Sequence, residues 1–67
     1  MRVVVNGVDR DVGASATVLE VVRGTGTEAE LGVAVAVNGE VVPKSAWRGT
    51  TLKEGDRIEV LRAIGGG

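Results

Sequence analysis

The sequence closes on Gly65, Gly66 and Gly67, and the chemistry open to this chain is concentrated there. A carboxylate carried on three glycines has no side chains beside it, so its carbonyl can be approached from either face. Fully extended, three residues reach roughly 10 Å at ~3.3–3.6 Å each. Such a thread can enter a channel too narrow for any other residue type. The plain alternative is a frayed terminus, since chain ends tolerate both glycine and disorder. Against it stands the cost of ordering: glycine loses more backbone entropy than any other residue, and an end without a task needs no run of three. The rest of the chain has to decide between these two readings.

No side chain competes with that end. Cysteine is absent, which excludes a disulfide, a thiolate nucleophile, a persulfide and a soft metal site. Histidine, the side chain best suited to proton transfer near neutral pH, is absent too, as is tyrosine. The remaining Ser, Thr, Asp, Glu, Lys and Arg residues are spread without a cluster that suggests a catalytic group. The chain is therefore not expected to be an enzyme in its own right, nor to bind a cofactor or metal. If chemistry takes place on it, the C-terminal carboxylate is the most available group.

The 67 residues make one domain, with a body expected over residues 1–64 and a flexible glycine tail over 65–67. A chain this short buries only about 60% of its unfolded surface, which sets a modest stability. Its apolar content of 43% is ample for one small core and is almost all Val, Ala, Leu and Ile. Eight basic and nine acidic residues leave a formal charge of −1, without a basic stripe. The single aromatic residue, Trp47, cannot make a base-stacking platform, so no nucleic-acid partner is expected. No apolar run approaches the ~20 residues of a membrane span. The start of the chain has only Val3, Val4 and Val5 before Asn6 and Gly7, too short for the apolar part of a signal peptide. A soluble, cytoplasmic protein is expected.

The elements that must position the tail can be read in order. Residues 2–6, with β-branched Val3, Val4 and Val5 at their centre, favour a strand. Asn6-Gly7 signals a two-residue type I′ hairpin turn, because both central positions need positive φ. Residues 8–12 make the return strand, and Asp9, Arg10 and Asp11 suit a sheet edge. Thr17 opens a helix, with Glu20 three residues on completing the pattern of a capping box. Val18, Leu19, Val21 and Val22 share one face of that helix. Valines are mediocre helix formers, so packing must hold the segment helical, and Gly24 and Gly26 are its natural stops. Residues 25–31 read as a connecting loop.

Residues 33–37 are apolar at every position, the mark of an interior strand. Its valine face is expected to meet the helix, and its alanine face to allow close approach. Asn38-Gly39 repeats the hairpin signal, residues 40–42 return, and Pro43 ends the pairing. Residues 44–47 suggest a short helical turn that brings Trp47 to plug one end of the core. Residues 49–56 are rich in turn formers, and residues 57–64 make the last strand. Ile58, Val60, Arg62 and Ile64 share one of its faces; Arg57, Glu59, Leu61 and Ala63 share the other. Leu61 and Ala63 are apolar on a polar face close to the tail. They either pack on the alanine face of the neighbouring strand or form a docking patch, and apolar surface beside a reactive end favours docking.

The order is two strands, a helix, two strands and a final strand, which is an α+β arrangement in which the helix covers one face of a single mixed sheet of four to five strands. The simplest closure sets the last strand parallel to the first through a right-handed crossover. The tail then leaves a rigid interior strand.

In this order and at this length the chain resembles the small sulfur-carrier family of thiamine biosynthesis, which has the β-grasp, or ubiquitin-like, fold. The residues that carry the resemblance are Val37-Asn38-Gly39-Glu40-Val41-Val42-Pro43, Trp47, Leu52-Lys53-Glu54-Gly55-Asp56-Arg57-Ile58-Glu59-Val60 and the closing Gly65-Gly66-Gly67. The resemblance implies that a partner adenylating enzyme, using ATP and magnesium, activates the carboxylate of Gly67. Sulfur from a persulfide enzyme then replaces AMP, and the thiocarboxylate passes its sulfur to thiazole synthase. Gly67 would carry the sulfur, with Gly66 the required penultimate glycine and Gly65 part of the same tail. A carrier that exchanges partners is expected to be a monomer. The small subunit of molybdopterin synthase shares the fold and the Gly-Gly end but is usually longer; a carrier for another sulfur pathway is a further reading. A ubiquitin-like modifier and an inert interaction domain are the readings from other classes.

Overall fold

The computed structural model describes residues 1–26 and 32–62. Among them, β1 (Arg2–Val5), β2 (Val8–Asp11), α1 (Val18–Gly24), β3 (Val33–Val37), β4 (Glu40–Val42), a 3₁₀ turn (Lys44–Ala46) and β5 (Arg57–Arg62) follow in that order. The strands form one sheet in the order β2-β1-β5-β3-β4. This is the α+β, β-grasp arrangement expected from the sequence. The boundary between body and tail, the expected end of the last strand at residues 63–64, and loop residues 27–31 lie outside the described residues.

Strand β5 runs parallel to β1, with Val5 opposite Ile58, and antiparallel to β3, with Val35 opposite Val60. The last strand is therefore interior, as the closure argument required. Both hairpins turn as their Asn-Gly pairs dictate: φ is 50° and 80° at Asn6 and Gly7, and 51° and 84° at Asn38 and Gly39. All four residues of β2 are exposed, in keeping with its place at the edge.

Val3, Val5, Val35, Ile58 and Val60 point from the sheet into one cluster with Val18, Val21 and Val22 of the helix, closed by Trp47 and Leu52. Leu19, expected on the buried face of the helix, is half-buried at its margin. The chain leaves the helix at Thr25, and Gly26, at φ 78°, supplies the left-handed residue that ends it, while Gly24 is still helical.

A seven-residue helix rich in valine needs support from outside itself, and the hydrogen bonds at its start show where the support comes from. The Val18 amide donates to Thr50 O at 3.0 Å and the Leu19 amide to Trp47 O at 3.1 Å. The Glu20 amide donates to Thr17 Oγ1 at 3.4 Å, which is the threonine half of the expected capping pair. The first amides, which a helix cannot pair internally, are thus taken up by the cap and by the segment after β4. A bridge between Thr17 and Thr51, with the Leu52 amide on Ala16 O at 2.9 Å, fixes that segment to the helix start. Leu52, flanked by Thr51 and Lys53 in a turn-rich stretch, shows no periodic signal, yet it is 2% exposed.

Trp47 joins these parts. It is 2% exposed, its Nε1 donates to Val42 O at 2.8 Å, and its carbonyl receives the Leu19 amide. Replacing a buried Trp by Ala costs about 3–5 kcal/mol, a large share of the ~5–15 kcal/mol that holds a small domain together. Trp47→Ala is expected to leave the chain largely unfolded at physiological temperature. Trp47→Phe, which fills most of the space but removes the Nε1 hydrogen bond to Val42 O, is expected to cost less, about 0.5–1.5 kcal/mol for the lost bond. Denaturant titration followed by circular dichroism checks both values and their order.

Candidate functional site

Side chains alternate along β5, which divides the strand between two tasks. Ile58 and Val60 are buried against the helix, while Arg57, Glu59 and Leu61 face outward. Leu61 is 58% exposed. Ala63, Gly65, Gly66 and Gly67, the other residues singled out in the sequence, follow β5 along the chain and lie outside the described residues.

The strand register shows what stands beside Leu61. Ala34 is directly opposite it on β3; Ala36, two residues along, is opposite Glu59 of β5 and Val41 of β4. Val41 is 75% exposed. Leu61, Ala34, Ala36 and Val41 therefore make one apolar strip on the open face of the sheet, near the point where the described part of β5 ends. Of the two readings of Leu61, packing on the alanine face is met in position but not in coverage. A methyl group is too short to shield a leucine, so most of Leu61 stays in water.

Val41 was not singled out in the sequence. The signal for it was present, because a two-residue turn at Asn38-Gly39 sets Val37 opposite Glu40 and hence Val41 opposite Ala36.

Charges border the strip on the same face. Arg57 and Glu59 belong to β5, and farther across the sheet Arg2 Nε meets Asp11 Oδ1 at 3.3 Å. The hydrogen bond that Arg2 donates to Asp11, and then the charge of Asp11, hold the Arg2 guanidinium above its ordinary pKa. A raised value means a contribution present below the ordinary arginine range and lost only as pH climbs through the raised one. This exposed pair therefore gives the molecule no pH dependence near neutrality.

Among the described residues no charged or polar residue is buried. None of their His, Cys, Asp or Glu residues form a group of three or more able to hold a metal ion. The concavities they line include one between β2 and α1 beside Val12 and Val21, one along β1 and β5 beside Val4 and Arg57, and one beside Leu19 and Lys44, each partly open to solvent. Among the same residues no helix is long and apolar enough to cross a membrane.

The comparisons with known proteins agree with this geometry. The crystal structure of the thiamine biosynthesis protein ThiS from Geobacter metallireducens is similar over 100% of both chains, with 36% identity and a TM-score of 0.81. An NMR solution structure of a thiamine biosynthesis protein from the same organism is 36% identical, covers 100% of this chain and 88% of that one, and gives a TM-score of 0.78. A thiazole synthase of Paramagnetospirillum magneticum is 39% identical over 67 residues, all of this chain but only 20% of that protein. The chain thus spans about a fifth of the length of that curated relative. The ThiS family model matches residues 3–67, glycine end included. With the sheet order, the open apolar strip and this match over nearly its whole length, the chain belongs to the ThiS family of β-grasp proteins.

Proposed function

We propose that this chain is the sulfur carrier for the thiazole ring of thiamine, with the sulfur borne on the main-chain carboxyl of Gly67. The observation that carries the reading is the family match through Gly65, Gly66 and Gly67. The relative named thiazole synthase, part of which resembles this whole chain, supports thiazole synthase as the acceptor.

The chemistry follows from what a carboxylate lacks. It is a poor electrophile until one oxygen becomes a good leaving group. An adenylating partner using ATP and magnesium supplies that step: a Gly67 oxygen attacks the α-phosphate, pyrophosphate leaves, and an acyl-adenylate remains. The terminal sulfur of a cysteine persulfide on a donor enzyme then attacks the carbonyl and AMP departs. The resulting acyl disulfide is opened by a thiol reductant, which leaves as a disulfide with the donor's cysteine. Glycine at positions 66 and 67 keeps both faces of the carbonyl accessible to these attacks. The chain itself contributes presentation and no catalytic group. It works as a cytoplasmic monomer that meets its partners in turn.

The strip of Leu61, Ala34, Ala36 and Val41 is the docking surface in this reading, to which the sequence adds Ala63, outside the described residues. Exposed apolar area next to a reactive end lets a partner hold the body while the tail enters its active site.

Two outcomes are expected. Intact-mass analysis of protein from cells grown without thiamine shows a species heavier by the exchange of one oxygen for one sulfur, located in the C-terminal peptide. Deleting Gly67 leaves thermal unfolding unchanged and abolishes adenylation in a pyrophosphate-exchange assay; a truncated chain adenylated at the normal rate overturns the reading. Separately, Leu61→Arg is expected to change stability by no more than about 0.5 kcal/mol, as for other exposed positions. It is expected to raise KM for the adenylating enzyme about tenfold, the effect of losing an interface anchor, with kcat kept. Titration of the enzyme with each variant measures it.

A further inference from the structure

We propose that Asn6 is a positioning residue for the reaction at the glycine end: its carboxamide takes the place of the next residue of β1 and holds β5 in register up to Val60. This rests on the carrier reading given above.

The hydrogen bonds along the β1–β5 edge carry the inference. The Val4 amide donates to Asp56 O at 2.9 Å and the Asn6 amide to Ile58 O at 2.9 Å, each step advancing two residues along β5. The next bond of a regular parallel ladder would join the Val60 amide to the Asn6 carbonyl. The backbone cannot make it, because Asn6 has φ 50° and is already turning into the hairpin. The side chain makes it instead: Asn6 Oδ1 accepts from the Val60 amide at 2.8 Å, and Asn6 Nδ2 donates to Val60 O at 3.3 Å. The carboxamide thus offers one acceptor and one donor, as a strand residue does, after β1 has ended. Val60 immediately precedes Leu61 of the apolar strip.

Turn chemistry does not account for this reach. A type I′ turn asks Asn6 for positive φ, which glycine meets at least as well, and it asks nothing of the side chain. The second hairpin provides an internal comparison. Asn38 Oδ1 accepts from the Arg57 amide at 3.0 Å, while the Asn38 amide donates to Arg57 O at 2.8 Å. There too a carboxamide replaces the carbonyl of a residue that has turned away. Asn38 holds the entrance of β5, on the β3 side; Asn6 holds the part nearest the tail, on the β1 side. Loss of the Asn6 contact lets the end of β5 separate from the β1 side, and the point from which the tail departs is no longer fixed. Docking through the strip survives, but the Gly67 carbonyl is misplaced in the partner's site.

The same substitution in the two turns tests this. Asn6→Gly and Asn38→Gly both keep positive φ and remove one clamp. Amide hydrogen exchange is followed at Val60 and Arg57, and kcat and KM for adenylation are measured with each full chain. For Asn6→Gly, exchange at Val60 is expected to accelerate at least tenfold, and kcat to fall about tenfold with KM within about twofold, the pattern of a misplaced reacting group. For Asn38→Gly, exchange accelerates at Arg57, while kcat is kept. Asn6→Asp retains the acceptor, loses the donor and tolerates the turn; its kcat is expected to lie between wild type and Asn6→Gly, and it decides the matter if Asn6→Gly does not fold. Wild-type kcat in the folded Asn6 variants, or an equal loss in Asn38→Gly, overturns the proposal. A wild-type chain that is never adenylated instead overturns the carrier reading on which it rests.

Discussion

Strand β5 is hydrogen-bonded along both edges, parallel to β1 and antiparallel to β3, and the rest of the molecule is arranged to keep it so. A strand paired on two sides cannot swing or fray as an edge strand does. Two asparagine carboxamides add to this constraint where neighbouring backbones turn away, at Arg57 and at Val60. The strand that leads towards the glycine end is therefore the central one of the sheet, flanked by two strands that are themselves interior. In the carrier reading proposed above, the reactive group lies on the chain's own backbone, and a firmly paired β5 is what lets another protein find that group.

The same strand has two unlike faces. Ile58 and Val60 fix it to the helix, while Leu61 lies open beside Ala34 and near Ala36 and Val41. The small alanines matter because they leave the leucine uncovered. Period-two alternation thus gives one segment both its share of the core and its share of an exposed apolar strip. Buried and exposed positions are adjacent in sequence and separated by the full thickness of the sheet.

The helix depends on a different part of the chain. With seven residues and three buried valines it has little intrinsic stability. Trp47, Thr50 and the Thr17 cap take up its first amides, and Leu52 anchors the connecting segment beneath it. Trp47 also holds the end of β4 through Val42 O, so the core plug, the second hairpin and the helix start form one cooperative unit. No charged side chain is buried among the described residues, and the body is stabilised by packing and backbone pairing. In the proposed reading such a body serves as a passive mount, with activation and sulfur transfer left to its partners.

The elements and their turns were legible in the sequence because each rests on short-range physics. Asn6-Gly7 and Asn38-Gly39 specify their turns by the positive φ they tolerate, Thr17 opens its helix by the reach of one hydroxyl, and the apolar residues of 33–37 require an interior strand. The parallel pairing of β1 with β5 followed from element order and the need to cover one sheet face. Three things were decided only by tertiary structure. Leu52 became core because a loop with no periodic pattern was drawn under the helix. The helix start was capped by carbonyls of Trp47 and Thr50, roughly thirty residues away in the chain. Asn6 became a clamp because residue 60 passes beside it, fifty-four positions along. Local patterns fix backbone angles within a few residues, whereas a hydrogen bond between distant segments exists only once packing has brought them together.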